Sequence, residues 1–421
     1  MKENTQAPLS SNNQYQNSDE FVKNQDLLGN IKTSPLADRK CTVIIILSLL
    51  LIISIGLNIF LPLTEDSSSK TDKTDQYQDY NFEFWNSDAP SLNNLKNYMK
   101  DICDPNSKNF IPFSDRIAVF DMDGTILGEK NPTYLEYIFY KYFVENNKNL
   151  DNYTQHLDII RRIDLFIANN GSDYGDLEID QFIWQAKGFK NWTIKQSEDF
   201  LDKFLDKDIE NFNNLKFKNL FYKPMIEIFN FLDLNSFQIF IVSGSERILL
   251  KYLVSKYLNT TQPFKIDHCI GTDVELIATG ELQNYQEDVL ADDHYVYQHN
   301  DSILKSGNGI SKNLYMGKVR RIIREIGKQP VLGFGNSNGD VAMLNYVTTG
   351  NKYKSKGFMV VADDVKREYG VDTIIDGVVN TTNSDELKRK WESSDYGYQV
   401  ISMRDDWKTI YGDNVTIKNN Q

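Results

Sequence analysis

The apolar run Arg116-Ile-Ala-Val-Phe120 passes directly into Asp121-Met-Asp-Gly-Thr125, and this junction is the most informative part of the chain. A short apolar run that ends in a turn-rich stretch is typical of a buried parallel strand. Side chains alternate along an extended segment, so Asp121 and Asp123 point the same way. Two carboxylates this close repel each other unless a cation or a shared proton compensates. The end of this strand is therefore a candidate chemical site.

Three more runs of the same kind predict buried strands at 238–242, 330–334 and 357–361. Patterns with helical periodicity lie between them, for example at 223–232 and 318–326. This alternation of strands and helices predicts an α/β fold with a doubly wound, Rossmann-like parallel sheet. Ligands of such sheets bind beyond the carboxyl ends of the strands, which is where the two aspartates lie.

A long insertion separates the first two predicted strands. It has about 110 residues, far more than a crossover connection needs. Helical periodicity recurs within it at 134–142, 157–165 and 198–205. The sequence therefore predicts a small helical domain at 127–222 that covers the strand ends.

Polar residues follow two of the other predicted strands. Ser243 and Gly244 follow the second strand, and a hydroxyl at this place can donate a hydrogen bond to an anionic oxygen. Asn336 and Asp340 follow the third strand, and oxygen ligands at this spacing suit a hard cation such as Mg²⁺, which takes few protein ligands. Lys318 lies in the preceding helix, where it is either a solvated lysine or a group that neutralises phosphate charge.

These residues resemble motifs I to IV of the haloacid dehalogenase (HAD) superfamily. The matching segments are Phe-Asp-Met-Asp-Gly-Thr at 120–125, Val-Ser-Gly-Ser at 242–245, Lys318, and Gly-Phe-Gly-Asn-Ser-Asn-Gly-Asp at 333–340. The insertion is similar to the C1-type helical cap of that superfamily. Phe84-Trp-Asn86 and the segment at 399–408 also resemble a branch of HAD phosphatases, mostly uncharacterised bacterial hydrolases.

The resemblance implies a Mg²⁺-dependent phosphomonoester hydrolase that acts on a small phosphorylated metabolite. Asp121 would attack phosphorus and form an aspartyl-phosphate. Asp123 would protonate the leaving oxygen and then deprotonate the water that hydrolyses the intermediate. Ser243, Gly244 and Lys318 would bind the phosphoryl oxygens.

The resemblance also implies the metal ligands. Mg²⁺ would be held by Asp121, the backbone carbonyl of Asp123 and Asn336. Asp340 would order Lys318 or a metal-bound water. Many members of the superfamily have Asp where Asn336 stands, so the neutral amide predicts a lower metal affinity. A phosphotransferase that passes the group to an alcohol would use the same residues, and this alternative stays open.

A different class of protein is also compatible with the pattern. A membrane glycoprotein that kept the HAD fold as a non-catalytic binding module would tolerate loss of Asp121 or Asp123, whereas both are present here. The sequence does not reveal a substrate. Aromatic residues of the insertion, such as Tyr134 and Tyr137, either pack its helices or in part form a cage for a quaternary ammonium group such as that of phosphocholine.

Residues 41–63 form a run of 23 positions without a charged side chain. As a helix the run would be about 34 Å long, which is enough to cross a bilayer core. The sequence therefore predicts an uncleaved, single-pass transmembrane anchor. Arg39 and Lys40 precede the run, and Glu65 and Asp66 follow it. The positive-inside bias places the N-terminus in the cytoplasm and the catalytic domain outside the cytoplasm.

The remaining domain boundaries follow from composition. Residues 1–40 are rich in Asn, Gln and Ser and predict a disordered tail, and 64–82 predict a solvated stalk. The core then occupies 83–126 and 223–412, on either side of the helical insertion. Residues 413–421 are predicted to be a C-terminal tail.

The overall composition excludes several classes of protein. The chain has 46 basic and 59 acidic side chains and a formal charge of −13, which argues against a nucleic-acid binder. A hydrophobic content of 40% excludes disorder throughout. The four histidines do not combine with the cysteines at metal-ligand spacing, which argues against a zinc site.

Overall fold

The computed structural model describes residues 76–129, 132–169, 176–282, 295–375 and 378–418. These residues belong to one compact unit, Asp72–Gln421. The predicted tail at 1–40 and the predicted transmembrane segment at 41–63 lie outside the described residues. Within the described ranges, no helix is both long and apolar enough to cross a membrane.

Eleven strands are found in the described part of the chain. They are β1 (Ile117–Phe120), β2 (Phe212–Asn213), β3 (Gln238–Glu246), β4 (Cys269–Ala278), β5 (Ile303–Ser311), β6 (Leu332–Gly335), β7 (Lys356–Val361), β8 (Thr373–Ile375), β9 (Val378–Asn380), β10 (Gln399–Ser402) and β11 (Thr416–Ile417). Seven of them form the central sheet in the order β10-β7-β6-β1-β3-β4-β5. Neighbours in this sheet are parallel, except that β4 and β5 are antiparallel. The predicted α/β fold with a parallel sheet is confirmed, and the four predicted strands correspond to β1, β3, β6 and β7.

The helices lie before, between and after these strands. They are α1 (Pro90–Ile102), α2 (Leu135–Asn146), α3 (Tyr153–Ala168), α4 (Leu177–Gly188), α5 (Ile194–Leu205), α6 (Lys223–Leu234), α7 (Arg247–Tyr257), α8 (Met316–Arg321), α9 (Val341–Thr348), α10 (Thr382–Glu392) and α11 (Met403–Asp406). α8 continues as a π-helical turn at Ile322–Ile326. Short 3₁₀ turns lie at Phe113–Asp115, Phe217–Asn219, Ile266–His268, Thr279–Glu281 and Asn338–Asp340.

Four of the helices, α2 to α5, lie between β1 and β3, where the sequence predicts a helical insertion. α5 begins with a capping box in which Thr193 Oγ1 accepts the N–H of Gln196 and the Gln196 side chain accepts the N–H of Thr193. Aromatic rings pack these helices together, as where Phe143 stacks on Phe189 with ring centroids 4.1 Å apart. Such aromatic side chains serve the packing of the helices.

Two segments at the edges of the core differ from the sequence prediction. The sequence predicts that residues 76–82 belong to the solvated stalk, but they pack on the core. The ring centroids of Phe82 and Phe231 are 5.3 Å apart, and those of Tyr80 and Phe82 are 4.9 Å apart. Thr416–Ile417 were assigned to the C-terminal tail, but they form β11, which pairs antiparallel with β2. Tyr80, Phe82 and Ile417 in these segments are partly buried against the core, and this burial offsets part of the entropic cost of ordering the chain.

Strand β1 lies at the centre of the sheet and is buried along its whole length. Phe120 at its end stacks on Phe334 of β6, with ring centroids 4.3 Å apart. Phe334 in turn stacks on Phe358 of β7 at 4.9 Å. Because β1, β3 and β6 are parallel neighbours, their carboxyl ends meet at one edge of the sheet. The polar residues that follow β1 and β6 are thereby brought close to Ser243 and Ser245, which lie within the last residues of β3.

Two tryptophans join the start of the core to its end. Trp85 and Trp407 are each 1% exposed, and their rings meet edge to face with centroids 6.0 Å apart. Trp85 Nε1 donates a hydrogen bond to the carbonyl of Pro224 at 2.9 Å. The N–H of Asn86 donates to the carbonyl of Asp406 at 2.8 Å. The segments 84–86 and 399–408, which resemble the same branch of phosphatases in the sequence, therefore pack against each other.

Replacing Trp407 with Ala should lower the free energy of unfolding by about 3–5 kcal/mol, because it removes a large ring from the core. Chemical denaturation followed by circular dichroism measures this loss. The control is Phe113→Ala, which removes a ring that is 44% exposed and should cost less than about 1 kcal/mol. Equal losses for the two variants would contradict the packing role of Trp407.

Candidate active site

A buried lysine between two carboxylates forms the centre of the site. Lys318 Nζ, on α8, donates to Asp121 Oδ1 at 2.5 Å and to Asp340 Oδ1 at 2.6 Å. All three side chains are buried, and Lys318 is only 2% exposed. The structure therefore brings together three predicted site residues that are far apart in the sequence.

Burial and mutual charge govern the protonation of this cluster. Burial alone would lower the pKa of Lys318, but the charges of Asp121 and Asp340 outweigh it, and the pKa lies above its ordinary value. Burial and the charge of Asp340 raise the pKa of Asp121 well above its ordinary range, although Lys318 acts in the opposite direction. The two carboxyl groups outnumber the single ammonium group, so a further cation close to them would favour their ionised forms.

The turn after β6 fixes the position of Asp340. Asp340 Oδ2 accepts hydrogen bonds from the backbone N–H groups of Asn336 at 3.0 Å and Ser337 at 3.1 Å. Ser337 Oγ accepts a hydrogen bond from the N–H of Gly339 at 3.2 Å, which closes the turn. Because the turn holds Oδ2, the other oxygen of Asp340 is left for Lys318.

The two carboxyl oxygens of Asp123 have different surroundings. Ser245 Oγ donates a hydrogen bond to Oδ2 at 3.0 Å. Oδ1 is buried and has no hydrogen-bond partner among the described residues. Burial raises the pKa of Asp123 to about 7, although the hydrogen bond from Ser245 acts in the opposite direction. A carboxyl group with this pKa can both give and take a proton near neutral pH, as acid–base catalysis requires.

Gly124 allows the chain to turn next to Asn336. Its φ is +74°, in the left-handed region that glycine tolerates best. A Cβ at this position would lie 1.9 Å from Asn336 Nδ2 and 2.3 Å from Glu129 Oε2, far inside contact distance. Asn336 Nδ2 donates to Glu129 Oε2 at 2.5 Å. The absence of a side chain at Gly124 therefore lets the amide of Asn336 approach the loop that carries Asp123.

The two predicted phosphate-binding residues of β3 are placed differently from each other. Gly244 lines a cavity at the strand ends, whereas Ser243 is fully buried and is not one of its lining residues. Ser243 Oγ accepts the N–H of Ser245 at 3.0 Å, and the carbonyl of Ser243 accepts a hydrogen bond from Asn313 Nδ2 at 2.9 Å. The contact of Ser243 with a phosphoryl oxygen stays a prediction.

Several residues at the site are not predicted from the sequence, among them Ser245, Glu129 and Glu136. Ser245 follows Ser243 by two positions, which would place both side chains on one face of a regular strand. β3 changes register in this stretch, so that rule does not hold there. Glu129 comes close only through the turn after β1. Glu136 accepts the N–H of Glu246 at 3.3 Å, a contact that depends on how α2 lies over the sheet. Of these residues, only Ser245 could have been found from the sequence, because it is the last residue of the Val-Ser-Gly-Ser motif at 242–245.

A cavity of about 110 Å³ lies against these residues. Residues that follow β1 and β6, together with Gly244 and Ser245 near the end of β3, form one side of it. Tyr134, Glu136 and Tyr137 at the start of α2, together with Glu178 of α4, form the helical wall. Lys312 also lines the cavity, with its Nζ 3.5 Å from Glu136 Oε2. The cavity is thus enclosed between the strand ends and the inserted helices.

Three oxygen-bearing groups at the strand ends suit a hard cation such as Mg²⁺. Within the described ranges, no group of three or more His, Cys, Asp and Glu side chains is arranged to hold a metal ion. The predicted Mg²⁺ site is of another kind, since it combines the carboxylate of Asp121 with the backbone carbonyl of Asp123 and the amide oxygen of Asn336. This set consists only of oxygen atoms and adjoins the negatively charged cluster around Lys318, and both properties fit Mg²⁺.

Several solved structures are similar to the chain at low sequence identity. A conserved protein of unknown function from Anaerococcus prevotii is 14% identical, with a TM-score of 0.41, and the match covers 74% of this chain and 91% of that one. A phosphoserine phosphohydrolase-like protein from Francisella tularensis is 13% identical, with a TM-score of 0.32, and the match covers 59% and 88%. Cytosolic 5'-nucleotidase IIIB bound to cytidine is 10% identical, with a TM-score of 0.36, and the match covers 59% and 74%. Structural similarity at these TM-scores gives no information about the substrate.

The assignment to a family depends on the sequence. No curated protein matches the chain. The model of the haloacid dehalogenase-like hydrolases matches residues 118–345, from β1 into α9. This match includes each strand end and the lysine described above and covers more than half of the 421 residues. The chain therefore belongs to the family of haloacid dehalogenase-like hydrolases.

Proposed function

We propose that this hydrolase is a Mg²⁺-dependent phosphomonoester hydrolase that acts through an aspartyl-phosphate on Asp121. The observation that carries the proposal is geometric: Lys318 holds Asp121 Oδ1 at 2.5 Å, and Ser245 orients the nearby carboxyl group of Asp123 through a hydrogen bond of 3.0 Å. A nucleophile and a proton donor are the two groups that a two-step phosphoryl transfer needs from the protein. The substrate would be a small phosphorylated metabolite.

In the first step, Asp121 Oδ2 attacks phosphorus. Oδ1 is engaged by Lys318, whereas the contact of Oδ2 with Thr125 Oγ1 is long, at 3.4 Å. The Oδ2–P bond forms while the bond from phosphorus to the alcohol oxygen breaks. Asp123 gives its proton to the departing oxygen. The products of this step are the aspartyl-phosphate and the free alcohol.

In the second step, water attacks the aspartyl-phosphate. Asp123, now a carboxylate, takes a proton from the water as the new P–O bond forms and the Oδ2–P bond breaks. Inorganic phosphate leaves, and both aspartates return to their starting states. One carboxyl group with a pKa of about 7 can complete this proton cycle.

The remaining predicted residues would hold the metal and the phosphoryl oxygens. Asp121, the backbone carbonyl of Asp123 and Asn336 would hold Mg²⁺, with Asp340 beside them. When bound, Mg²⁺ supplies positive charge that offsets the repulsion between the phosphate and these carboxylates. Lys318, Gly244 and Ser243 would bind the phosphoryl oxygens, and Asp340 would orient Lys318, a role that their 2.6 Å contact supports.

We also propose that residues 41–63 anchor the hydrolase in a membrane as a single-pass helix. The support is the run of 23 positions without a charge, preceded by Arg39 and Lys40. In this arrangement the N-terminus is cytoplasmic and the catalytic domain lies outside the cytoplasm. The net charge of −13 argues against nucleic acid as a partner, so the proposed partners are a small phosphorylated substrate and the membrane that residues 41–63 would enter.

The full-length protein should hydrolyse p-nitrophenyl phosphate in the presence of Mg²⁺ and lose this activity in excess EDTA. Asp121→Asn should reduce kcat by about a thousandfold or more, because it removes the nucleophile. The fold should be retained, since Asp340 still pairs with Lys318. Release of p-nitrophenol measures the rates, and thermal unfolding checks the fold.

The control for this experiment is Asp158→Asn, which changes an exposed carboxylate of α3 that pairs with Arg161. It should keep wild-type activity. Activity that persists in EDTA would contradict the metal assignment. A folded Asp121→Asn protein with normal turnover would contradict the nucleophile.

Ser245→Ala should slow the hydrolysis of alkyl phosphates more than that of p-nitrophenyl phosphate. The variant removes the hydrogen bond that orients Asp123, and a poor leaving group depends most on a well-placed acid. We expect a loss of about tenfold in kcat on the alkyl esters and of less than about threefold on the nitrophenyl ester.

Ser245→Thr retains a hydroxyl and should restore most of the rate on alkyl esters. Ser255→Ala, on the exposed side of α7, is the matched control and should leave both rates unchanged. If Ser245→Ala lowers the rates on both kinds of ester by the same factor, Ser245 does not act through Asp123.

A further inference from the structure

The helical wall of the cavity, together with Glu129 from the turn after β1, is acidic and aromatic. Glu129 and Glu178 line the cavity together with Tyr134 and Tyr137. Glu129 is 5% exposed and Glu178 is half-buried. Water and salt therefore screen these two carboxylates less than they screen charges on an open surface.

The formal charges of the described cavity lining do not balance. Six carboxylates face two ammonium groups: Asp121, Asp123, Glu129, Glu136, Glu178 and Asp340 against Lys312 and Lys318. A phosphoryl dianion and Mg²⁺ would cancel each other. Even with Asp123 protonated, negative charge still exceeds positive charge. The part of the substrate beyond phosphorus therefore enters a negative potential.

Tyr134 lies within the field of this wall. The charge of Glu129, followed by burial and the charge of Glu178, raises the pKa of its phenol well above the ordinary value. Its ring meets the ring of Tyr137 edge to face, with centroids 5.3 Å apart. Carboxylates and aromatic faces attract the same kind of group, an organic cation, by Coulomb and cation–π interactions.

We propose that the substrate is the phosphomonoester of an amino alcohol, whose ammonium or quaternary ammonium group lies against Glu129, Glu178 and Tyr134. This inference rests on the proposed function, which places the phosphoryl group at Asp121 and Lys318. The bond that breaks and the path of the proton are those of the proposed reaction, and the alcohol leaves with its positive charge unchanged. Sugar phosphates and nucleotides lack a fixed positive charge at this position and would be poorer substrates.

Two esters of matched shape and different charge test the inference. Phosphocholine and 3,3-dimethylbutyl phosphate differ in one atom, since carbon replaces the quaternary nitrogen. Phosphoethanolamine and n-propyl phosphate form a second pair. The full-length protein with Mg²⁺ should have a kcat/KM for the cationic member of each pair that is about tenfold or more above that for the neutral member.

Charge-removing variants of α4 locate the origin of this preference. Glu178→Gln should lower the ratio of cationic to neutral kcat/KM to about threefold or less, because it removes one of the facing carboxylates. Asp180→Asn is the matched control: it removes a carboxylate from the same helix, one that pairs with Arg162 at 2.6 Å and is not among the lining residues. This control should keep the wild-type ratio.

The possible results separate this inference from the proposed function. Hydrolysis of both members of each pair at equal kcat/KM would overturn the substrate class and leave the proposed function standing. A ratio that falls as much in Asp180→Asn as in Glu178→Gln would overturn the assignment to this wall. No hydrolysis of any ester, p-nitrophenyl phosphate included, would overturn the proposed function and the inference with it.

Discussion

Lys318 is a charged side chain that the fold encloses almost completely, and its charge must be compensated where it lies. Asp121 and Asp340 provide this compensation at 2.5 and 2.6 Å. The requirement connects three segments, because the end of β1, the start of α8 and the turn after β6 all have to meet at one point. Removal of both carboxylates would leave the buried ammonium group without a counter-charge, which is costly, whereas either one alone still compensates it. The same contacts that hold this edge of the sheet together orient the proposed nucleophile.

The inserted helices change the chemistry of the strand ends by excluding water. Burial is the main reason that the pKa of Asp123 rises to about 7. Glu136 of α2 joins the helices to the sheet, because it accepts the N–H of Glu246 of β3 at 3.3 Å. It also accepts the side-chain amide of Gln185 at 2.9 Å, which links α2 to α4. Within the sheet, Glu246 forms a buried ion pair with Lys305 of β5 at 2.5 Å. The helical wall therefore both encloses the cavity and contributes charges to it.

Much of this arrangement could be predicted from the sequence, for reasons that particular residues make clear. β1 could be predicted because a central parallel strand is buried on both faces and is continuously apolar. β5 could not, since an antiparallel edge strand needs no such run, and its sequence is Ile-Leu-Lys-Ser-Gly-Asn-Gly-Ile-Ser. Asp121 and Asp340 could be grouped because they follow adjacent strands, whereas Lys318 could be added to them only through the resemblance to the superfamily, since a lysine within a helix is by itself as compatible with a solvated position. Ser245 could not be placed beside Asp123, because β3 changes register just before it.

The central claim is that the phosphoryl group passes through Asp121, held by Lys318 beside an acid of matched pKa. The most direct test is to mix the full-length protein with substrate and Mg²⁺, quench the reaction in acid within one turnover, and map the phosphorylated peptide by mass spectrometry. We expect one phosphoryl group on Asp121, labile to hydroxylamine as an acyl phosphate is. A phosphoryl group on another residue, or complete turnover without any phosphorylated peptide, would contradict it.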